Sequence, residues 1–285
     1  MLFFFLDGVG LGDNTPRNNP LITNLPQLAK RAGGVLSREL RPVTTSEFIF
    51  TPISATLGHP GLPHSATGQA TLLTGVNAAE VMGRHYGPWP GPTLKQFLQR
   101  TETIFDIADF RFANAYPDGY FASVLEGSFR RNSLAFAAAG RGQPGYTEAQ
   151  YRAGRGVAVD LHGKRLGQRS TPLEEAQRAV ALADEAPLVF MDFWITDHFG
   201  HAQNMDEAGR WLLAFDSFVA ETARLAPDAL IIITSDHGNV EDATDKRHTR
   251  NQVPLVVLGP GAATFASATS LLSLKPLISE YLQRR

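Results

Sequence analysis

The stretch Leu230-Ile231-Ile232-Ile233-Thr234-Ser235-Asp236-His237-Gly238-Asn239 decides the fold class. An apolar, β-branched run suits a central strand, and its break into Asp-His-Gly delivers two side chains that are costly to bury to the strand's end. Open α/β sheets place their chemistry at such ends, so the pair reads as a candidate metal site. The arrangement recurs. Leu188-Val189-Phe190-Met191 precedes Asp197-His198-Phe199-Gly200-His201, the opening run Leu2 to Leu6 ends in Asp7-Gly8, and His248 comes shortly before Val253 to Leu258. Four apparent strands therefore aim Asp or His at one place.

Outward from these runs the chain alternates. From Thr171-Pro172 the pattern predicts a helix to about Glu185, the Leu188 strand, a helix from about Asp206 to Leu225, the Leu230 and Val253 strands and a terminal helix. Near the N-terminus a helix would bury Leu25, Leu28, Ala29 and Ala32, followed by a Pro/Gly-punctuated segment ending at Gly61-Leu62-Pro63. A further helix starts near Gly68 and stops at Gly75. Such alternation implies an α/β fold of three layers, a mostly parallel central sheet covered by helices on both faces. The stretch from Phe112 to Arg169 is rich in Gly, Arg, Ala and aromatic residues and lacks clean periodicity. It reads as a small inserted cap, giving a core of residues 1–111 and 170–285 and a cap of residues 112–169.

Composition removes several classes of function. A chain of 285 residues, 43% hydrophobic, buries a sizeable core, and a net charge of −2 argues against a nucleic-acid partner. No stretch approaches the roughly 20 apolar residues that span a bilayer, which argues against a membrane role. The Leu2–Leu6 run has neither the basic leader nor the length of a signal peptide, so a cytoplasmic location is the expectation. The absence of cysteine excludes disulfides, thiolate zinc sites and a cysteine nucleophile. Gly140-Arg141-Gly142-Gln143-Pro144-Gly145 fits G-x-G-x-x-G, but it follows no clear strand and carries proline where a helix should open, so it is not read as a dinucleotide site.

A site for two cations needs hard oxygen and imidazole ligands from several loops, because one short segment cannot surround both. Asp7, Asp197, His201, Asp236, His237 and His248 offer that set, with Asp197 and His201 spaced i, i+4 on one helical turn. Taken singly, an Asp before Gly is a turn former and a His beside a strand is a structural group; their convergence is the signal. The third element is Pro63-His64-Ser65-Ala66-Thr67-Gly68-Gln69-Ala70-Thr71-Leu72-Leu73-Thr74-Gly75. A hydroxyl at a helix start lies where backbone N–H groups and the helix dipole favour a phosphate, so Ser65 suits a nucleophile. The plain alternative is that Ser65 or Thr67 merely caps the helix.

These residues resemble the alkaline phosphatase superfamily of two-metal phospho- and sulfo-transfer enzymes. Asp7-Gly8, Asp197-x-x-Gly200-His201, Asp236-His237-Gly238-Asn239 and His248-Thr249 are most similar to cofactor-independent phosphoglycerate mutase and phosphopentomutase, and Ser65 to Gly75 resembles the nucleophile segment of several branches. The resemblance covers about the first hundred residues and the half from Thr171. It implies one metal on Asp197, His201 and His248 and another on Asp7, Asp236, His237 and the nucleophile. Alignment on Thr74-Gly75 and Gly68-Gln69 puts that nucleophile at Ser65, with Thr67 the runner-up. His198 matches no ligand position, and His59 and His64 read as turn residues near the same mouth.

The implied chemistry is phosphoryl transfer through a phosphoserine on Ser65, aided by two divalent cations. Mixed imidazole and carboxylate suits Mn2+ or Zn2+, and similarity to the mutase branch tilts the choice toward manganese. A mutase must exclude water while its substrate reorients, and the room left for a closing domain is small, so hydrolysis of a small-molecule phosphate ester is favoured. A mutase, a phosphodiesterase and a non-catalytic metal-binding module remain the alternatives. The sulfatase reading weakens because Ser65 lies in no Cys-or-Ser-x-Pro-x-Arg signature. Arg84-His85 and Arg130-Arg131 are the candidate substrate-binding pairs, and Tyr116 to Phe121 forms either an aromatic wall or a turn.

Overall fold

The run Leu2–Leu6 contains no polar side chain, and every one of its residues is buried, as expected of a central strand covered on both faces. The computed structural model describes residues 1–284. Seven strands form the main sheet: β1 (Leu2–Leu6), β2 (Val43–Thr44), β3 (Phe48–Ile53), β4 (Phe110–Phe112), β7 (Leu188–Phe193), β8 (Ile231–Ser235) and β9 (Val253–Leu258), in the order β2-β3-β9-β8-β1-β7-β4. Two short strands, β5 (Asn114–Ala115) and β6 (Val157–Ala158), pair separately.

Parallel pairing joins β4, β7, β1 and β8, whereas β9 is antiparallel to β8, β3 to β9 and β2 to β3. Most strands thus point one way. Two features depart from the sequence expectation: the Val253 run enters the sheet antiparallel, and the Pro/Gly-punctuated segment contains β2 and β3. The apolar run Phe48-Ile49-Phe50 is short and is followed by Pro52, which masks a strand that tertiary pairing stabilises.

Strand register sets the geometry of the site. Leu2 aligns with both Val189 and Ile231, and Leu6 with both Phe193 and Ser235. One residue further on, Asp7 therefore stands beside Asp236, and the chain after Phe193 turns toward the same edge. Because β9 runs the other way, it begins at that edge, and the loop before it brings His248 there.

The helices are α1 (Leu21–Asn24), α2 (Pro26–Ala32), α3 (Ser65–Thr74), α4 (Ala78–Met82), α5 (Pro92–Arg100), α6 (Tyr120–Leu125), α7 (Ser133–Ala139), α8 (Glu148–Arg152), α9 (Pro172–Ala183), α10 (Ile195–Ala202), α11 (Met205–Leu225) and α12 (Leu274–Gln283). Alternation along β1 divides the core between the two sheet faces. Leu2, Phe4 and Leu6 join residues of α2, α9 and α11, while Phe3 and Phe5 join residues of α3, α5, α7 and α12. No helix among the described residues is long and apolar enough to cross a membrane.

The stretch 112–169 divides between core and cover. Phe112 closes β4 in the main sheet, and α7 packs against α3, with Leu134, Ala137 and Ala138 fully or almost fully buried. By contrast α6 buries none of its residues. Within 112–169 the run around α6 is thus the part that contributes least to the core.

Asp216, buried in α11, holds α2 in place by accepting the Gln27 and Leu28 N–H groups at 2.7 and 2.9 Å. Those amides belong to the first turn of α2 and have no partner within that helix. Asp216→Ala strands them, and we expect a loss of about 1–3 kcal/mol in urea unfolding, with Asp216→Asn retaining part of it. No change in urea midpoint would mean that the cap contributes nothing.

Candidate metal centre and nucleophile

The sheet edge gathers two groups of ligand atoms. Asp7, Asp236 and His237 place one ligand atom each within 4.8 Å of one another, and so do Asp197, His201 and His248. The first group comes from the ends of β1 and β8, where the register already brings the carboxylates together. In the second, α10 carries Asp197 and His201 on one turn, and His248 arrives from the loop before β9. The groups adjoin, since the His237 and His248 rings stack at 3.8 Å.

Close backbone approach explains two glycines. A Cβ on Gly200 would fall 1.6 Å from Asn239 Oδ1, so the spacing Asp197-x-x-Gly200-His201 lets α10 dock on the Asp236-His237-Gly238-Asn239 loop. A Cβ on Gly68 would meet Asp236 at 2.9 Å, so only glycine lets α3 lie against the end of β8.

Several atoms are left in a state that a cation would satisfy. Asp7 Oδ1, Asp197 Oδ1 and Asp236 Oδ2 are buried and accept no hydrogen bond. The Nδ1–H of His201 donates to Lys246 O at 2.8 Å and that of His248 to Pro63 O at 2.7 Å. Those bonds fix the tautomers, so the two Nε2 atoms face each other at 3.1 Å with lone pairs exposed. A proton or a cation must lie against them. The unpartnered carboxylate oxygens favour the cation, and oxygen with imidazole suits manganese or zinc.

Ionisation reports the same crowding. Burial, then repulsion from Asp236, raises the Asp7 carboxyl far above its ordinary range, and burial pushes Asp236 up to about 6. Burial works against a charged His237, yet Asp236, Asp7 and Asp197 lift it to about 10. Asp197 goes the other way: despite its burial, His201 and His248 hold it well below the usual carboxylate range.

Ser65 is the first residue of α3 and is 4% exposed, and its Oγ lies 2.9 Å from His237 Nε2. The Thr67 and Gly68 amides are bonded to Tyr86 O and His64 O, which leaves the Ser65 and Ala66 N–H groups at the helix start for an incoming anion. Thr67 is occupied elsewhere. Its hydroxyl is directed at His64 O and Tyr86 O and accepts the Tyr86 N–H, so it ties down the following loop instead of meeting the ligands.

The remaining sequence candidates separate. Arg130 and Arg131 line a cleft of about 630 Å³ that also includes Asp7, Ser65, Asp197, His198 and His201. Arg84 and His85 do not line it: Arg84 is exposed over the Tyr86 ring at 5.6 Å, and His85 is buried edge-on to His59. His64 packs on His248 at 5.0 Å, and burial pushes its pKa down to about 4.

Three residues that the sequence reading passed over support the site. Gln69 donates to Asp7 Oδ2 at 3.1 Å and accepts from Ser133 N, linking Asp7 to α7. Glu241 is buried and accepts from Gly10 N, Asn239 N, Thr249 Oγ1 and Asn251 Nδ2, so its carboxylate gathers the loops that carry Asp7, His237 and His248. Asp192 lines the cleft, with one oxygen held by Asn132 at 2.7 Å and the other unpartnered; burial, then Asp7, pushes it up to about 8. Only Asp192 leaves a sequence signal, as a carboxylate inside an otherwise apolar strand.

A family model described as the metalloenzyme superfamily matches residues 163–284, the span that supplies Asp197, His201, Asp236, His237 and His248. Residues 163–284 thus carry a domain of the metalloenzyme superfamily. Among curated relatives, the phosphopentomutase of Methylobacterium radiotolerans is 34% identical over 219 residues, covering 71% of this chain and 53% of its own length. That of Methylorubrum extorquens is 39% identical over 223 residues, with the same coverage. The chain thus spans about half the length of these relatives. The fold is shared with the alkaline phosphatase of the Antarctic bacterium TAB5, at a TM-score of 0.60, 14% identity and coverage of 100% of this chain and 98% of the other. The Thermus thermophilus alkaline phosphatase gives 0.56 at 13% identity, covering 100% and 91%.

Proposed function

We propose that this protein hydrolyses a small-molecule phosphate ester in two steps through a phosphoserine on Ser65. Two divalent cations, manganese or zinc, held by Asp197, His201 and His248 and by Asp7, Asp236, His237 and Ser65, would supply Lewis-acid stabilisation of the entering and departing oxygens. Ser65 Oγ forms the new P–O bond as the ester P–O bond breaks, its proton leaving and the departing alkoxide taking one up. Water then cleaves the phosphoserine, releasing inorganic phosphate and restoring the hydroxyl. The free N–H groups at the start of α3 stabilise the phosphoryl oxygens, and Arg130 and Arg131 supply positive charge in the same cleft.

One observation carries the preference for hydrolysis. The segments beside Ser65 in the cleft are short, and their aromatic residues Trp89 and Phe129 are 45% and 51% exposed, so the cleft is open to solvent. A mutase must keep water from its phosphoenzyme. The second reading, a phosphopentomutase, is favoured by the names of the curated relatives. Product analysis separates the two: with manganese or zinc, ribose 1-phosphate should yield ribose and inorganic phosphate. Conversion to ribose 5-phosphate without phosphate release would establish the mutase instead.

A further inference from the structure

Beyond the ligands, the cleft is walled by aromatic rings. Tyr116 and Tyr120 stack at 3.8 Å and 4°, Phe129 stands edge-on to Tyr120 at 5.3 Å, and Trp89 and Trp194 complete the lining. Large aromatic surface left in solvent beside a catalytic group marks a binding surface, and a volume of about 630 Å³ holds far more than a phosphate.

The cations of this cleft are placed unusually. Arg130 lies 5.7 Å over the Trp89 ring and Arg165 5.2 Å over the Trp194 ring, and neither forms an ion pair with a carboxylate among the described residues. In the other large hollow, about 660 Å³, Arg155 likewise lies 5.7 Å over the Tyr146 ring, but there Arg111 and Arg155 are both neutralised by Glu185. Guanidinium groups stacked on indoles extend a flat π surface while leaving N–H groups free for an anion.

We infer that the alcohol part of the substrate carries a flat aromatic ring, as in an aryl or a nucleoside phosphate, which stacks on the wall formed by Tyr120, Phe129 and Trp89 while its phosphoryl group meets Ser65. This rests on the phosphoryl-transfer reading above and assigns the substrate class of that same site. A bare sugar or glycerol phosphate leaves the wall unused.

Adenosine 5′-monophosphate and ribose 5-phosphate differ only by the base, and benzyl phosphate and glycerol 3-phosphate make a second pair without ribose, in which both leaving groups are aliphatic alkoxides. With the metal-loaded enzyme, kcat/KM for the aromatic member of at least one pair should exceed its partner by about tenfold or more, the usual scale of one stacking contact. Which pair shows the larger ratio tells a nucleobase from a simple aryl group. Phe129→Ala should shrink that ratio at least about threefold. Binding is read separately in the Ser65→Ala variant, where the aromatic esters should quench the fluorescence of Trp89 and Trp194 and ribose 5-phosphate should not. Equal kcat/KM within both pairs, or equal quenching, overturns the inference while phosphate release still supports the catalytic reading. If no ester releases phosphate, the catalytic reading fails, and the fluorescence titration still decides whether the cleft prefers aromatic rings.

Discussion

Ser65→Ala is expected to lower metal-dependent phosphate release by about 10³-fold or more, the scale seen when a covalent nucleophile is removed. The hydroxyl stands at the start of α3 with His237 Nε2 at 2.9 Å, and the neighbouring Thr67 hydroxyl is engaged with the backbone of His64 and Tyr86, so no substitute nucleophile is at hand. Removing one buried oxygen leaves Asp197, His201 and His248 untouched, so the variant should still bind metal at that group, which titration calorimetry reads directly. Thr67→Val, by contrast, should act through the Tyr86 loop, lowering stability more than turnover. Near-normal rates in Ser65→Ala would require direct attack by water.

The second large effect concerns the metal-free protein, whose stability should fall as pH rises. Burial and mutual repulsion raise Asp7, Asp192 and Asp236 above the 3.8 of a free carboxyl, Asp192 to about 8 and Asp236 to about 6. The native state keeps these protons after the unfolded chain has released its own. Their contribution is therefore complete below about pH 4 and is lost as pH rises through the folded values. His237 has the same sign over a higher range, from 6.5 to about 10. Asp197, whose pKa is lowered, acts only below 3.8, and His64, lowered from 6.5 to about 4, opposes the trend between those values but is outnumbered by the three carboxyls.

Cations bind the deprotonated groups and reverse the slope, because the ligand set is complete only once the protons have left. In chelator the melting temperature should drop by about 5 °C or more between about pH 5 and about pH 8, and added manganese or zinc should restore it most at the higher pH. A flat profile in chelator, or no response to either metal, would contradict the assignment of Asp7 and Asp236 as ligands.

How much the sequence disclosed follows from how local each signal is. The Leu230 and Leu188 runs and the helices from Pro172 and Met205 are legible because each is a long periodic or apolar segment ending in punctuation. Asp197 and His201 announce themselves by helical spacing. The antiparallel entry of β9 and the pairing of β3 are not local properties; they depend on which strand edge remained open after β8 had paired with β1. Glu241 left no signal for the same reason, and Gln69, legible only as an alignment landmark, showed no role. Each looks like an ordinary polar residue until tertiary structure delivers its partners, backbone amides and Asn251 for one and Asp7 for the other. The cleft walls were half legible: Tyr116 to Phe121 reads as aromatic, but its meeting with Trp89 and Trp194 joins three distant segments.

The central claim is that Ser65 carries the phosphoryl group, and the most direct measurement is an acid quench of the metal-loaded enzyme mixed with a phosphate ester, followed by peptide mass spectrometry. The account predicts one added phosphoryl group on the peptide containing Ser65, present during turnover and absent from Ser65→Ala. Steady phosphate release with no label on any residue, or a label on a residue other than Ser65, would contradict it.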